Sequence, residues 1–392
     1  MTKPKRLLKT FLFSSLLGCA LSGCGSDFTE PATVSPSQPA GPTAISQLLK
    51  QDILINADLW DKEPRMLAAG LGFTEIIGVD GLDVTQPEVS ENLVREAGGT
   101  WNMVDCPSDQ VSLDNFTSAI TPQQVANTFG YPVVRADGLP VEFTWPVRPS
   151  TLDPTDFVVI LNNGERVQPE VCSISPNLDY NERAVVVLFG FFGNRLSPNN
   201  PDSVYPIRVE IVEDGTPLQL VGPGPTFVSA VGMGVDSGGS PYTDPDVPPE
   251  ERGGPRLVAS KLTVLSAEGD QAPAPFAVNS PNDGRTLYGD DAQYRIRVFT
   301  SGGFSPDGVK AMLPTEFARY FKLKAQTAGG VVELTETGID YNLDGATVRI
   351  VGLAELGKVS DHYDDCYTED QDNQIDIILA GDEAAMRKIT HV

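Results

Sequence analysis

Carboxylates are the side chains with which this sequence is best equipped to do chemistry. Between Asp361 and Asp376, DHYDDCYTEDQDNQID, seven of sixteen residues are Asp or Glu and none is Lys or Arg. Like charges packed so closely repel unless they are solvated, spread apart or bridged by a cation. Asp361, Asp364, Asp365, Asp370, Asp372 and Asp376 offer hard oxygen ligands, which suit calcium rather than zinc. Calcium is therefore the one cofactor expected, and a plain solvated acidic loop is the competing expectation. Ile375, Ile377 and Leu379 follow at strand spacing, so the segment reads as a loop between strands and not as a tail. A second run, Asp340, Asn342, Asp344 and Gly345, opens like a D-x-N-x-D-G calcium loop. Its twelfth position is Val351 where a bidentate Glu belongs, and its flanks read as strands. A β-hairpin turning at Leu343-Asp344-Gly345 is the expectation there.

Other chemistries find little support. The chain has two histidines, His362 and His391, and His391 is the penultimate residue, a poor place for a rigid base. A Ser-His-Asp triad would have to use one of them. No G-x-S-x-G, H-E-x-x-H, phosphate-binding loop or dinucleotide fingerprint occurs. Glycan hydrolysis needs only two carboxylates, so a glycan hydrolase using paired carboxylates stays open as the alternative function. Cys106, Cys172 and Cys366 are scattered, without C-x-x-C, so a zinc site is not expected. They allow one disulfide with a thiol left over, or none.

The elements that must carry these residues are mostly β. The chain holds 37 Gly and 32 Pro, a turn-rich composition. Val141, Phe143 and Trp145 alternate with polar residues. Phe157 to Leu161 is an apolar run, Asn162-Asn163-Gly164 a hairpin turn, and Val167 to Ile174 the return strand. Ala184 to Phe192, AVVVLFGFF, is continuously apolar, as a strand buried on both faces would be. Tyr205 to Val212 alternates, and Asp214-Gly215 turns it into Leu218 to Val221. After a Pro-, Gly- and acid-rich stretch at 236–256, Leu257 to Leu265 reads as a strand. Tyr294, Ile296 and Val298 alternate with Arg295 and Arg297, which predicts one dry face and one wet face. Helical spacing is confined to Ile45–Leu49, Pro87–Ala97 before Gly98-Gly99, and Pro122–Phe129 before Gly130. The segment at 44–138 is thus a mixed, irregular cap with short helices.

Two stretches share one grammar. FVVILNNGERVQPEVCSISPNLDYNERAVVVLFG begins at Phe157, and FKLKAQTAGGVVELTETGIDYNLDGATVRIVG begins at Phe321. Each runs strand, Gly-containing turn, strand, a polar Asp-Tyr-Asn segment and a Val-rich strand ending in Gly. Asp179-Tyr180-Asn181 and Asp340-Tyr341-Asn342 match letter for letter. An internal repeat of one β unit is expected. The pattern is similar to bacterial immunoglobulin-like repeats over roughly 140–392. The resemblance implies two tandem immunoglobulin-like β-sandwich domains, 139–235 and 257–392, joined by the linker 236–256.

The N-terminus carries the sharpest motif. Lys3, Lys5, Arg6 and Lys9 precede an apolar run, Phe11 to Leu21, too short to span a membrane core of about 30 Å. Leu21-Ser22-Gly23-Cys24 follows, and resembles the lipobox of bacterial lipoproteins; Leu16-Leu17-Gly18-Cys19 is a weaker match that would split the apolar run. The resemblance implies a signal peptide at 1–23, cleavage before Cys24, and a lipid (diacylglycerol and an acyl chain such as palmitate) on that residue. Gly25 and Ser26 stand directly after the cysteine and Asp27 only later, which favours the outer membrane over inner-membrane retention. Residues 24–43 then form a flexible tether.

Loss of 1–23 leaves 24 Lys and Arg against 53 Asp and Glu, a formal charge of −29. So acidic a chain argues against nucleic-acid binding and against docking on anionic lipid head groups, so the membrane contact expected is through the lipid anchor only. The expected protein is a cell-envelope lipoprotein, not an enzyme. It would serve as a binding or structural module for an envelope protein or glycan, stabilised by calcium.

Overall fold

A computed structural model describes residues 43–52, 62–104, 112–130, 133, 135–179, 182–224, 226–242, 244, 246–247, 256–265, 284–300, 311–357, 367–369 and 374–392. All of them belong to one compact unit, Pro36–Val392. The protein is mainly β, 37% strand against 18% helix, in several antiparallel sheets and without a barrel. The expected signal peptide, Cys24, nearly all of the expected tether, Cys106, Cys366, His362 and most of the acidic segment 361–373 lie outside the described residues.

Residues up to Asp236 build three sheets: two of them enclose the main core, and the third is a two-stranded ribbon of Gln219–Gly222 and Thr226–Ser229. Ala136–Phe143 is the hub of the larger sheet. It pairs with Met66–Ala69, with Phe73–Ile77 and with Val185–Gly190, which in turn pairs with Val171–Ser173. The smaller sheet runs Gly234–Asp236, Pro206–Ile211, Phe157–Leu161, Arg166–Val167. Strand alternation sends Leu139, Val141, Phe143, Val186 and Leu188 from one sheet against Phe157, Val159, Leu161, Val209 and Ile211 from the other. Val187 and Phe189 point the opposite way. They pack with Val94 of the helix Pro87–Glu96 and with Val125 and Phe129 of the helix Pro122–Phe129. The continuously apolar run therefore is a strand buried on both faces, as expected.

The return strand differs from the reading of Val167 to Ile174 as one element. Arg166–Val167 pairs with Phe157–Leu161 in the smaller sheet, whereas Val171–Ser173 pairs with Val185–Gly190 in the larger. Pro169 stands between them. Proline has no N–H for a ladder, and the chain changes sheets there.

Residues from Leu257 onward repeat the division of labour. A five-stranded sheet runs Leu257–Val264, Tyr294–Thr300, Gln374–Gly381, Ala346–Ala354, Asp340–Leu343. A three-stranded sheet runs Gly330–Leu334, Leu323–Thr327, Ile389–His391. Ile296, Val298, Ile350, Ile375, Ile377 and Leu379 meet Leu323, Ala325 and Leu334 in a second core. Asp340–Leu343 turns into Ala346–Ala354 through Asp344 at φ +55° and Gly345 at φ +92°. Two successive positive φ values are the signature of the type I′ hairpin, whose favoured pair is Asp-Gly. Asn342 Oδ1 accepts from the Gly345 N–H at 2.9 Å, and Asp344 accepts from Lys388 Nζ at 2.7 Å. The D-x-N-x-D-G run is thus a hairpin, and these oxygens are engaged by protein donors.

One expectation fails outright. Arg295 and Arg297, assigned to a wet face, are 2% and 0% exposed. The other face of the five-stranded sheet is not open to water, because the first half of the chain covers it. Ala184 and Val185 pack with Phe299, and Leu67 with Ala259 nearby.

Candidate functional site

The covered face holds a buried charge cluster built from both halves of the chain. Tyr294–Thr300 and Gln374–Gly381 pair antiparallel, with Arg297 directly opposite Asp376. On the far side Asp376 is opposite Ala354. The register thus sets a guanidinium, a carboxylate and the residue before Glu355 side by side across three strands.

Asp376 is saturated by arginine. Its Oδ1 accepts from Arg297 Nε at 2.8 Å, and its Oδ2 from Arg297 Nη2 at 2.9 Å and from Arg295 Nη1 at 3.1 Å. Such a fork is the strong, geometrically specific form of an ion pair. Burial alone would raise the Asp376 carboxyl, but the charges of Arg297 and Arg295 outweigh it and hold the group below the usual range.

The second half of the cluster is not so well served. Asn177, Asp179 and Glu182 lie on the connection between Val171–Ser173 and Val185–Gly190, and all three are buried. Gln374 Nε2 donates to Asn177 Oδ1 at 3.0 Å, a hydrogen bond between residues 197 apart in the sequence. Glu182 Oε2 accepts from the Asp179 N–H at 3.3 Å, which folds the connection back on itself. Arg297 Nη2 stands 3.6 Å from Glu182 Oε1 and 3.5 Å from Glu355 Oε1, while its shorter bond goes to Asp376.

Glu355, 1% exposed, accepts no hydrogen bond at either oxygen, and Glu182 Oε1 accepts none. Its backbone sits at φ +53°, a left-handed conformation uncommon outside glycine. Burial pushes Glu355 well above the ordinary carboxyl value, and the charges of Glu182 and Asp179 push it further. Burial likewise raises Glu182, against the opposing charge of Arg297. One oxygen from each of Asp179, Glu182 and Glu355 lies within 4.8 Å of the others. Among the described residues, these three are the ones that could hold a metal ion.

Of the six expected calcium ligands, Asp361, Asp364, Asp365, Asp370 and Asp372 lie outside the described residues. Asp376 is described, and its oxygens face the two arginines. Sequence reasoning did not single out Glu182, Glu355, Arg295 or Arg297 as site residues. It noticed Asp179 only as a letter in a repeat. A usable signal was present. Asp376 stands among Ile375, Ile377 and Ile378, and a charged residue inside an apolar strand needs a buried partner. Arg295 and Arg297 alternate in a strand in the same way.

Two further features are formed within the first half. Asp137 accepts from the N–H groups of Glu75 at 2.8 Å, Phe192 at 2.6 Å and Gly193 at 3.0 Å. Burial nevertheless raises Asp137 to about 6. Burial, with the adjacent Asp137 charge, raises Glu75 to about 7. The other feature is a cavity of about 310 Å³ beneath the helix Ala44–Leu49, lined by Leu49, Phe129, Leu152, Val171 and Cys172 with Lys50 at its edge. Cys172 is a free thiol that burial pushes up in pKa, which keeps it protonated and inert.

No family model matches the chain, and no curated protein or solved structure matches it either. Among the described residues no helix is long and apolar enough to cross a membrane.

Proposed function

We propose that the protein is a lipoprotein of the bacterial cell envelope, anchored in the outer membrane through a lipid on Cys24. In this reading its body is a non-catalytic binding or structural module. The observation that carries the non-catalytic reading is the sealing of the convergent carboxylates. Asp179 and Glu182 of the first half and Glu355 of the second are buried against one another, and among the described residues they leave no open cleft for a glycan. A glycan hydrolase, the rival reading, would instead need two carboxylates flanking an open cleft, about 5 to 9.5 Å apart.

Two immunoglobulin-like sandwich domains in tandem are the finer reading of the fold. In each half a five-stranded and a smaller antiparallel sheet share one apolar core. In each half, too, the hairpin that opens the repeated grammar belongs to the smaller sheet and the Val-rich strand to the larger. Such a body suits rigid spacing and the display of loops to an envelope protein or glycan. The anchor is tested by Cys24→Ser expressed in the native envelope. The variant should leave the membrane fraction or accumulate as uncut precursor. A processed protein still recovered with membranes would sink the lipoprotein reading.

A further inference from the structure

We infer that Asp179, Glu182 and Glu355 bind one calcium ion, which fastens the first half of the chain to the second. These ligands are not the carboxylates of the acidic segment expected from the sequence, and the inference does not depend on where in the cell the protein resides.

Three acidic residues near one another do not make a site, but Glu355 is a buried carboxylate whose oxygens accept no hydrogen bond among the described residues. A carboxylate removed from water must recover its lost solvation from hydrogen bonds, a counter-charge or a proton. Both oxygens of Glu355 are buried and accept no hydrogen bond. Among the described residues the guanidinium paired with it is Arg297, which stands 3.5 Å from Glu355 Oε1 and gives its Nε and Nη2 hydrogen bonds to Asp376. The carboxylate faces Glu182 and Asp179, two further negative groups, at ligand-like separation. Across the whole cluster two guanidinium groups, Arg295 and Arg297, face four carboxylates, Asp179, Glu182, Glu355 and Asp376. With all ionised these six groups sum to a formal charge of −2, the charge a divalent cation would neutralise.

The donor set selects the ion. All donors are hard oxygens with no His or Cys among them, which disfavours zinc and copper. Calcium binds oxygens at about 2.3–2.6 Å, so two ligands on opposite sides of it are about 5 Å apart. A spread of up to 4.8 Å fits inside that span. Magnesium binds at about 2.0–2.1 Å and gives up its waters reluctantly, a poor match to a dry site. The ligands come from residues 179, 182 and 355, so the ion would be bound only by the assembled chain. A ligand that binds only the native state raises its stability in proportion to the logarithm of ligand excess over Kd.

The experiment uses the purified full-length mature chain. It is stripped with a chelator and then titrated with calcium chloride against sodium chloride of equal ionic strength, so that general screening of an acidic chain is held constant. Titration calorimetry should find one calcium site. The melting temperature should rise by about 5 °C at a hundredfold excess over Kd. Magnesium should do less. Glu355→Gln keeps the shape of the side chain and removes its charge, and it should abolish both the calorimetric site and the rise. Asp179→Asn gives the same reading from the other half of the chain. Asp370→Asn with Asp372→Asn, in the acidic loop, should leave both intact. The inference is overturned if the native chain shows no calcium-dependent rise, since Glu355 then simply keeps a proton. It is equally overturned if Glu355→Gln retains the rise while the loop variant loses it.

Discussion

Asp179 and Asp340 begin the same three letters, Asp-Tyr-Asn, one in each half of the chain, and their surroundings are opposite. Asp340 lies on an exposed edge strand and pairs with Arg349 at 2.7 Å in open solvent. Asp179 is wholly buried, in a turn beside Glu182 and Glu355. The difference arises because the first half sets Asn177, Asp179 and Glu182 against a sheet face of the second, while Asp340 and Asn342 lie on the solvent-facing side of an edge strand. A match of letters carries local grammar. Whether a carboxylate is a solvated ornament or part of the interior is set by what the rest of the chain lays over it. Electrostatics then amplifies the contrast, since charges that cost nothing in water need compensation inside.

The contrast can be broken most severely at Asp376. Asp376→Asn removes the counter-charge of Arg297 and Arg295 while leaving both guanidinium groups buried. Removal of one partner from a buried pair costs about 3–5 kcal/mol. Urea denaturation should show a loss of that size, and a loss below about 1 kcal/mol would mean that water reaches the cluster.

An intermediate effect is expected at Glu75. Its folded-state pKa is about 7 against an ordinary value of 4.5. Below pH 4.5 both states hold the proton. Between about 4.5 and 7 the unfolded chain releases it and the folded chain does not, so stability falls as pH rises through that window. Asp137, raised to about 6, acts in the same direction. The melting temperature of the native chain should therefore climb as pH is lowered from 7 toward 5. Glu75→Gln should flatten the climb, and an unchanged slope in that variant would assign it to other groups. Asp376 acts in the opposite sense, since its depressed pKa makes its contribution fade only as pH drops below the ordinary carboxyl range.

A smaller loss belongs to the hairpin. Gly345 at φ +92° faces open space, so Gly345→Ala meets no clash and pays only for its backbone conformation, about 1 kcal/mol. The smallest effect of all should come from Asp340→Asn, the exposed counterpart of the buried cluster. Its melting curve should overlay that of the native chain, because an exposed pair is screened and entropically taxed. A clear drop would show that the outer edge of this sheet is less solvated than the comparison holds.

Much of the local fold was legible. The apolar run at 185–190, the Asp-Gly turn at 344–345, and the helices that begin at Pro87 and Pro122 follow from propensity, periodicity and capping. The helix at Pro122 even closes as read, with Gly130 left-handed at φ +73°. What failed were statements about neighbours. The alternation of Arg295 and Arg297 was correctly a strand with two unlike faces, but period-two spacing says only that the faces differ, not that the polar one is wet. Proline at 169 was visible, yet its consequence, a strand shared between two sheets, depends on tertiary packing. The candidate site was hardest to see. Its members come from positions 179, 182, 295, 297, 355 and 376, and no local pattern records that they meet.

The central claim is that the two β halves are joined through a buried polar contact rather than merely strung in tandem. It is tested most directly by a double-mutant cycle between Asn177 and Gln374, uncharged residues from opposite halves that share a 3.0 Å hydrogen bond. Unfolding free energies are measured for the native chain, Asn177→Ala, Gln374→Ala and the double variant. The predicted coupling energy is about 1 kcal/mol or more, since residues in one buried network do not act additively. Additivity within about 0.3 kcal/mol would mean that the two side chains do not meet in solution, and would contradict the account.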